Sequence, residues 1–268
     1  MADHSACVIN EPFIRAILFK PYRQEGFFML INLVGLNLSY ETSKWYLDVP
    51  ELIIESRSIL CLEGDNMSGK SSFLHFLHGI FEGKYSWKCF RYADFPIKKG
   101  KYSLYQSGVS SSLVCQDDPM FPDFSIKHNI LLGCSTALNW KSFVIIIDIN
   151  NIMSEFKYNI DLDLNKPLRD LSTGARSVVR LFRSFISSPK LILLDEPASN
   201  LDYENRNIFW DEFGRYIDNK ELDLSIVLVS HNATDHKRIK EIGLNSGFKN
   251  LTMRIDKNGH AYRMVKVE

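Results

Sequence analysis

The chain has 268 residues, 45% of them hydrophobic, enough apolar side chain to bury a full core and too much for a disordered or fibrous protein. Lys+Arg and Asp+Glu are equal at 32 each, so no net field draws it to nucleic acid or to an anionic membrane. The five cysteines (Cys7, Cys61, Cys89, Cys115 and Cys134) are scattered without a Cys-x-x-Cys pair, which argues for reduced thiols in a cytosolic compartment rather than a disulfide or zinc framework.

Residues 1–28 are of mixed character and form an N-terminal extension to which no chemistry is assigned. Asp3, His4, Glu11, Arg15 and Lys20 interrupt every apolar core that a signal peptide would need. The apolar stretch 27–38 contains Asn32, Gly35 and Asn37 and is too short to cross a bilayer. From residue 28 to 40 the pattern is strand-like, and Leu52, Ile53 and Ile54, followed by a turn over 55–58, predict a strand. Tyr40, Trp45 and Tyr46 lie about two dozen residues before Gly64. One of these rings stacks on a nucleotide base, or all three pack a sheet edge.

Residues 59–62 predict a buried strand that breaks into Gly64, Asp65, Asn66, Met67, Ser68, Gly69, Lys70 and Ser71, a full match to Gly-x-x-x-x-Gly-Lys-Ser. Gly64 permits the sharp turn and Gly69 a close backbone approach to a ligand. In that geometry the loop amides cradle α- and β-phosphates, Lys70 reaches the β- and γ-phosphates, and the Ser71 hydroxyl ligates Mg²⁺, with Ser72 beside it. Phe73, Leu77, Ile80 and Phe81 follow at helical spacing before a stop at Gly83.

Residues 84–108 are polar and aromatic by turns, with an exposed turn at Lys98-Lys-Gly-Lys101. A strand over 112–116 ends in Gln116, whose amide carbonyl faces a metal or water, or else bonds to the backbone. Residues 125–168 alternate helix-like and apolar pieces. Ser172 then caps a helix with an apolar stripe at Val178, Val179, Leu181, Phe182, Phe185 and Ile186, and Arg176, Arg180 and Arg183 on the other face. Its first turn, with Ser172 and Gly174, offers a second anion site.

Residues 191–194 are four aliphatics, as in a central parallel strand buried on both faces, and Asp195 and Glu196 stand at the C-terminal end, where open α/β sheets bind ligands. Asp195 is suited to hold Mg²⁺ through water opposite Ser71, and Glu196 to polarise a water attacking a γ-phosphate. Ser199-Asn-Leu-Asp202 follows. A further buried strand over 224–230 ends at His231, placed for a γ-phosphate contact.

Taken in order, Gly64 to Ser71, Gln116, Leu171-Ser-Thr-Gly-Ala175, the 191–196 run, Ser199 to Asp202 and His231 resemble the Walker A, Q-loop, signature, Walker B, D-loop and H-loop of the ATP-binding cassette (ABC) ATPases, over roughly residues 30–235. The resemblance implies an α/β fold: a RecA-like P-loop NTPase core with an N-terminal antiparallel β subdomain and an inserted α-helical subdomain at about 117–183, within an ABC domain at 29–268. It implies Mg²⁺-dependent hydrolysis of ATP to ADP and phosphate. Glu196, His231, Lys70 and Gln116 would be catalytic, and Ser71, Gln116 and Asp195 would serve the metal. ATP would be held by Tyr40, residues Gly64 to Ser72, Ser172, Gly174 and Asp202.

Residues 116–133, with Phe121-Pro-Asp-Phe124, resemble the transporter branch. That implies a transmembrane permease subunit as partner, with Met120, Phe121 and Phe124 lining a groove for one of its helices. It also implies head-to-tail pairing as a homodimer or heterodimer, no nucleic-acid partner, and a cytoplasmic place on the inner face of the membrane. The alternatives are a soluble ATPase of iron–sulfur cluster assembly, a DNA-repair or chromosome ATPase, or a non-ABC P-loop kinase. The second would need coiled-coil or zinc insertions, and neither heptads nor zinc spacing is present. Thr173 and Ala175 depart from the usual Gly and Gln of the signature, and Arg57 stands where Gly is common. Ser172 and Gly174 are intact, so an active ATPase is expected.

Overall fold

The computed structural model describes residues 29–41, 43–92, 95–98, 111–115, 120–134, 163–186, 189–218, 224–259 and 261–267. The N-terminal extension and Gln116 lie outside the described residues, as does much of the expected helical subdomain.

The strands are β1 (Met29–Ser39), β2 (Tyr46–Glu55), β3 (Ser58–Gly64), β4 (Lys84–Ser86), β5 (Cys89–Tyr92), β6 (Phe95–Pro96), β7 (Ser111–Cys115), β8 (Leu191–Asp195), β9 (Ser225–Val229), β10 (Lys249–Asn258) and β11 (Ala261–Lys266). The helices are α1 (Lys70–His78), α2 (Ile126–Leu131), α3 (Thr173–Phe185), α4 (Tyr203–Ile217) and α5 (Ala233–Asn245). All the strands belong to one sheet in the order β6-β5-β1-β2-β11-β10-β3-β9-β8-β7, with β4 also paired to β1. From β10 through β3, β9 and β8 to β7 the pairing is parallel; β1 pairs antiparallel with β2, β4 and β5. Parallel strands need both faces covered, which is why β3, β8 and β9 are nearly unbroken aliphatic runs.

Alternation divides those runs between two cores. Leu60, Leu62, Leu191, Leu193, Val227 and Val229 face a core shared with Phe73, Phe76 and Leu77 of α1 and with β1 and β2. Ile59, Cys61, Ile192, Leu194, Ile226 and Leu228 face the other, closed by Leu181 and Phe185 of α3, Phe209, Trp210 and Phe213 of α4, and Ile239 and Ile242 of α5. Removing one such buried side chain costs about 2–5 kcal/mol. A third cluster joins Ile126 and Ile130 of α2 to Val178, Val179, Phe182 and Ile186. The stripe read on α3 therefore serves two layers at once.

Two expectations change. Helix α1 ends at His78, because Gly79 takes a left-handed conformation (φ 87°) and its N–H closes on the His75 and Phe76 carbonyls. Ile80 consequently lies outside the helix and is exposed. The polar and aromatic stretch after residue 84 forms β4, β5 and β6, which extend the antiparallel part, β4 and β5 pairing with β1 and β6 with β5. Arg57 adopts φ 55° in the β2–β3 turn, its guanidinium donating to the Ser246 carbonyl at 2.6 Å and lying over the Phe248 ring. Among the described residues, no helix is long and apolar enough to cross a membrane.

Candidate active site

Strands β3, β8 and β9 are adjacent and parallel, so their C-terminal ends release three loops at one place. The loop from β3 runs from Gly64 (φ 148°) through Met67, a non-glycine residue at φ 64°, to Gly69 (φ 103°) at the start of α1. Lys70 is buried and folds back over this loop, Nζ donating to the carbonyls of Gly64 at 2.8 Å and Asp65 at 2.7 Å. Burial lowers the pKa of Lys70, against the opposing pull of Glu196, Asp195 and Asp65. Ser68 is fully buried, and its Oγ has no hydrogen-bond partner among the described residues. A Cβ on Gly64 would lie 2.9 Å from that Oγ and from the Ile255 carbonyl, so no other residue fits without displacement.

At the end of β8, Asp195 is buried, and burial raises its pKa. A hydrogen bond from Ser71 and the nearby charges of His75, Lys70 and His231 draw it back down. The next residue, Glu196, takes φ 49°, a left-handed conformation that costs a non-glycine residue about 1–2 kcal/mol. Its main chain is tied by Glu196 N–H to the Val229 carbonyl (2.9 Å) and by Ser199 Oγ–H to the Glu196 carbonyl (2.9 Å). The turn points the carboxylate at the loop after β9, where Oε1 accepts the His231 N–H at 2.8 Å and stands 3.7 Å from the His231 ring Nε2. Burial raises the pKa of Glu196 as well, with the His231 ring and its N–H acting against it.

A second group of candidate residues lies at the starts of α3 and α4. Ser172 caps α3, its hydroxyl accepting the Ala175 N–H at 3.2 Å. Gly174 rests on Asn205, and Asp202 caps α4 while gripping both the backbone N–H and the side-chain amide of Asn205 at 2.9–3.0 Å. These hydrogen bonds hold the exposed Asp202 below the usual carboxylate range. Arg176 donates back to the carbonyls of Leu171 and Arg169, so the segment before α3 is fixed by the helix that it starts.

A model of the ABC transporter family matches residues 47–199. The chain belongs to the ABC transporter family. It is 26% identical over 215 residues to the lipoprotein-releasing system ATP-binding protein LolD of Buchnera aphidicola subsp. Acyrthosiphon pisum, covering 79% of this chain and 92% of that protein. The ribose import ATP-binding protein RbsA of Lactococcus lactis subsp. lactis is 25% identical over 222 residues, and this chain spans 42% of its length. The fold matches that of CbiO1 from Clostridium perfringens, part of the ABC transporter complex CbiONQ, with a TM-score of 0.66 at 19% identity, covering 89% of this chain and 87% of that one.

Within the ABC transporter family the chain is an ATP-binding ATPase, and the RecA-like core and antiparallel β part expected from its motifs are present. The Walker A, Walker B and H-loop segments converge as described, whereas the signature and D-loop segments meet through Gly174 and Asn205. Gln116 lies outside the described residues; Cys115 before it is in register with Asp195. Of the candidate rings, Trp45 lies over Gly69: its Cζ2 is 2.2 Å from where a Gly69 Cβ would stand. Tyr40 packs behind it, 5.3 Å from Trp45 and 5.1 Å from Phe81, with its hydroxyl 3.0 Å from Ser72 Oγ. Tyr46 bonds to Asn37 on the neighbouring strand. His75, close enough to Asp195 to affect its charge, and Asn205, the support of Gly174, carry no motif that marks them in sequence.

Proposed function

We propose that this ATPase powers a separately encoded transmembrane permease, binding Mg²⁺ and ATP in the loop Gly64 to Ser72 and closing head to tail on a second ABC domain. The observation that carries the chemistry is the convergence of Lys70, Asp195, Glu196 and His231 on one sheet edge. Lys70 is the cation for the terminal phosphates, held in place by exchangeable carbonyl bonds. Glu196 is the general base: its carboxylate is oriented by His231 N–H, and burial raises its basicity. His231 contacts the γ-phosphate, and Gln116, the next residue in the chain after β7, serves the metal.

The donors at Ser71 and Asp195 fit Mg²⁺, since a hydroxyl and a carboxylate already within hydrogen-bond contact are the hard oxygens that ion prefers. Bound there, Mg²⁺ would neutralise charge developing on the phosphates. Tyr40 and Trp45 form the aromatic wall for the base. Ser172, Gly174 and Asp202 act on the ATP of the paired domain, presented by two helix starts that rest on one another.

Permease attachment is supported by the exposed, stacked rings of Phe121 and Phe124, 5.2 Å apart, in the segment that follows β7. Asn129 braces that segment by accepting from Phe121 N–H and donating to the Phe121 carbonyl, both at 2.9 Å. An amphipathic partner helix fits such a ledge. The chain would then lie at the cytoplasmic face of the membrane.

The test is affinity purification from native membranes in mild detergent, with co-purifying proteins identified by mass spectrometry. Stoichiometric recovery of a multi-span membrane protein supports the assignment. Recovery of soluble partners alone overturns it and favours a cluster-assembly ATPase.

A further inference from the structure

Asp235, in the first turn of α5, is 1% exposed and takes part in none of the chemistry above. Its Oδ2 accepts the Ser230 hydroxyl at 2.9 Å, and its Oδ1 accepts Trp210 Nε1–H at 2.8 Å, with Arg206 Nε 3.8 Å away. Arg206 in turn donates to the Ala198 carbonyl at 3.0 Å. One buried carboxylate is thus connected to the residue before His231 and to the turn that leaves Glu196.

Ser230 is held at both its hydroxyl and its carbonyl. Its Oγ also accepts Asn232 N–H at 3.0 Å, and its carbonyl meets His236 Nε2 at 2.8 Å, so that ring nitrogen carries the proton. The other ring nitrogen of His236 stands 3.9 Å from Glu63, the residue before Gly64. Serine at 230 is thereby fixed in position, and the next N–H in the chain is the one that Glu196 accepts.

We propose that Asp235 is a positioning residue for ATP hydrolysis, acting through Ser230 on the His231 N–H that aims Glu196, and through Arg206 on the turn from Ala198 to Asp202. The inference rests on Glu196 being the general base. It follows that movement of His231 toward or away from a γ-phosphate is transmitted within one chain to Asp202, because both segments hang on the same side chain. Two hydrogen bonds and one ion pair fall on that carboxylate, and an amide at 235 could not accept from Ser230 and Trp210 while facing Arg206 as an anion.

The test uses the full chain and measures kcat, KM and ATP affinity, with rates normalised to ATP-binding sites so that unfolded protein does not count. Asp235→Asn is expected to lower kcat about tenfold with ATP affinity within about twofold of wild type, a loss suited to a slightly misplaced base. Ser230→Ala reads the same path if Asp235→Asn folds poorly, and is expected to lose about as much. The double variant is expected to lose no more than the more impaired single variant, since both substitutions break the same Ser230–Asp235 hydrogen bond. Losses that multiply in the double variant, or a normalised kcat within about twofold of wild type in either single variant, overturn the proposal. Glu196→Gln separates the two layers: if it hydrolyses ATP at the wild-type rate, the assignment of the base has failed. If it is inert while Asp235→Asn runs at full rate, only the positioning role has.

Discussion

Gly174 and Asn205 touch with no space between them: a Cβ at 174 would lie 2.1 Å from Asn205 Oδ1 and 2.4 Å from its Cγ. In an ordinary helix, alanine in place of glycine adds about 0.5–1 kcal/mol of stability. Here the methyl must push aside an amide that Asp202 holds by two atoms. Gly174→Ala is expected to lower ATP turnover about tenfold or more while leaving nucleotide binding in place, by disturbing two helix starts together. Adding Asn205→Ala opens the space and should recover part of the rate. Steady-state hydrolysis of the two single variants and the double variant decides it, and a fully active Gly174→Ala would refute the coupling.

Glu196→Gln should cut turnover by roughly 10²–10⁴, the usual weight of a positioned general base, with ATP binding retained. Burial raises the carboxyl's pKa, so its ionised, proton-accepting form is lost at a higher pH than for a solvated glutamate. The acid limb of the pH–kcat/KM profile, which reports the free enzyme, should accordingly lie above the ordinary glutamate value, with kcat/KM falling as pH falls through it. A limb at the ordinary value would mean that another group accepts the proton.

Trp45→Ala removes the ring that lies on Gly69 and should raise the Kd for ATP about tenfold, near the lower part of the 1–3 kcal/mol range for stacking. Tyr40→Phe keeps the ring contacts and removes only the hydroxyl contact to Ser72, so its Kd should stay within about twofold. Calorimetric titration of both variants compares them directly; equal affinities in Trp45→Ala and wild type would exclude Trp45 from the base wall.

These two rings illustrate how far sequence alone reaches. Tyr40 and Trp45 are equally plausible by chain distance, and only the path from β1 into β2 shows which one covers the loop. The phosphate loop, β8 and α3 were legible because each is written locally: glycine at turns with positive φ, four aliphatics in a doubly covered strand, a serine cap before an apolar stripe. Strands β4 to β6 were not, since pieces of two to four residues get their stability from pairing, β4 and β5 with β1 and β6 with β5, rather than from any pattern of their own. The hub at Asp235 was equally hidden, because its partners Ser230, Trp210 and Arg206 are gathered by packing of α4 and α5 on β9.

Glu212 gives a prediction about stability. Its side chain is 2% exposed, it pairs with the half-exposed Arg215, and burial still raises its pKa, so desolvation outweighs the pairing. A carboxyl whose folded pKa lies above its unfolded one binds its proton first in the native state. Native stability is then greatest below the unfolded value and declines as pH rises through the folded one. Glu212→Gln should raise Tm by about 2–4 °C at pH 8, the shift that corresponds to about 1 kcal/mol in a large domain, and the gain should shrink toward pH 4. Thermal melts across that range test it, and a lower Tm at pH 8 would show that the pair with Arg215 dominates.

The double grip of Lys70 on the Gly64 and Asp65 carbonyls has a consequence for selectivity at rest. An ammonium already shared between two main-chain oxygens is a poor target for a small stray anion, which offers too few contacts to displace both at once. A polyphosphate chain brings several oxygens together and meets the loop amides in the same step. Tied to itself in this way by Lys70, the loop is suited to a ligand that engages it at many points rather than to a single anionic group.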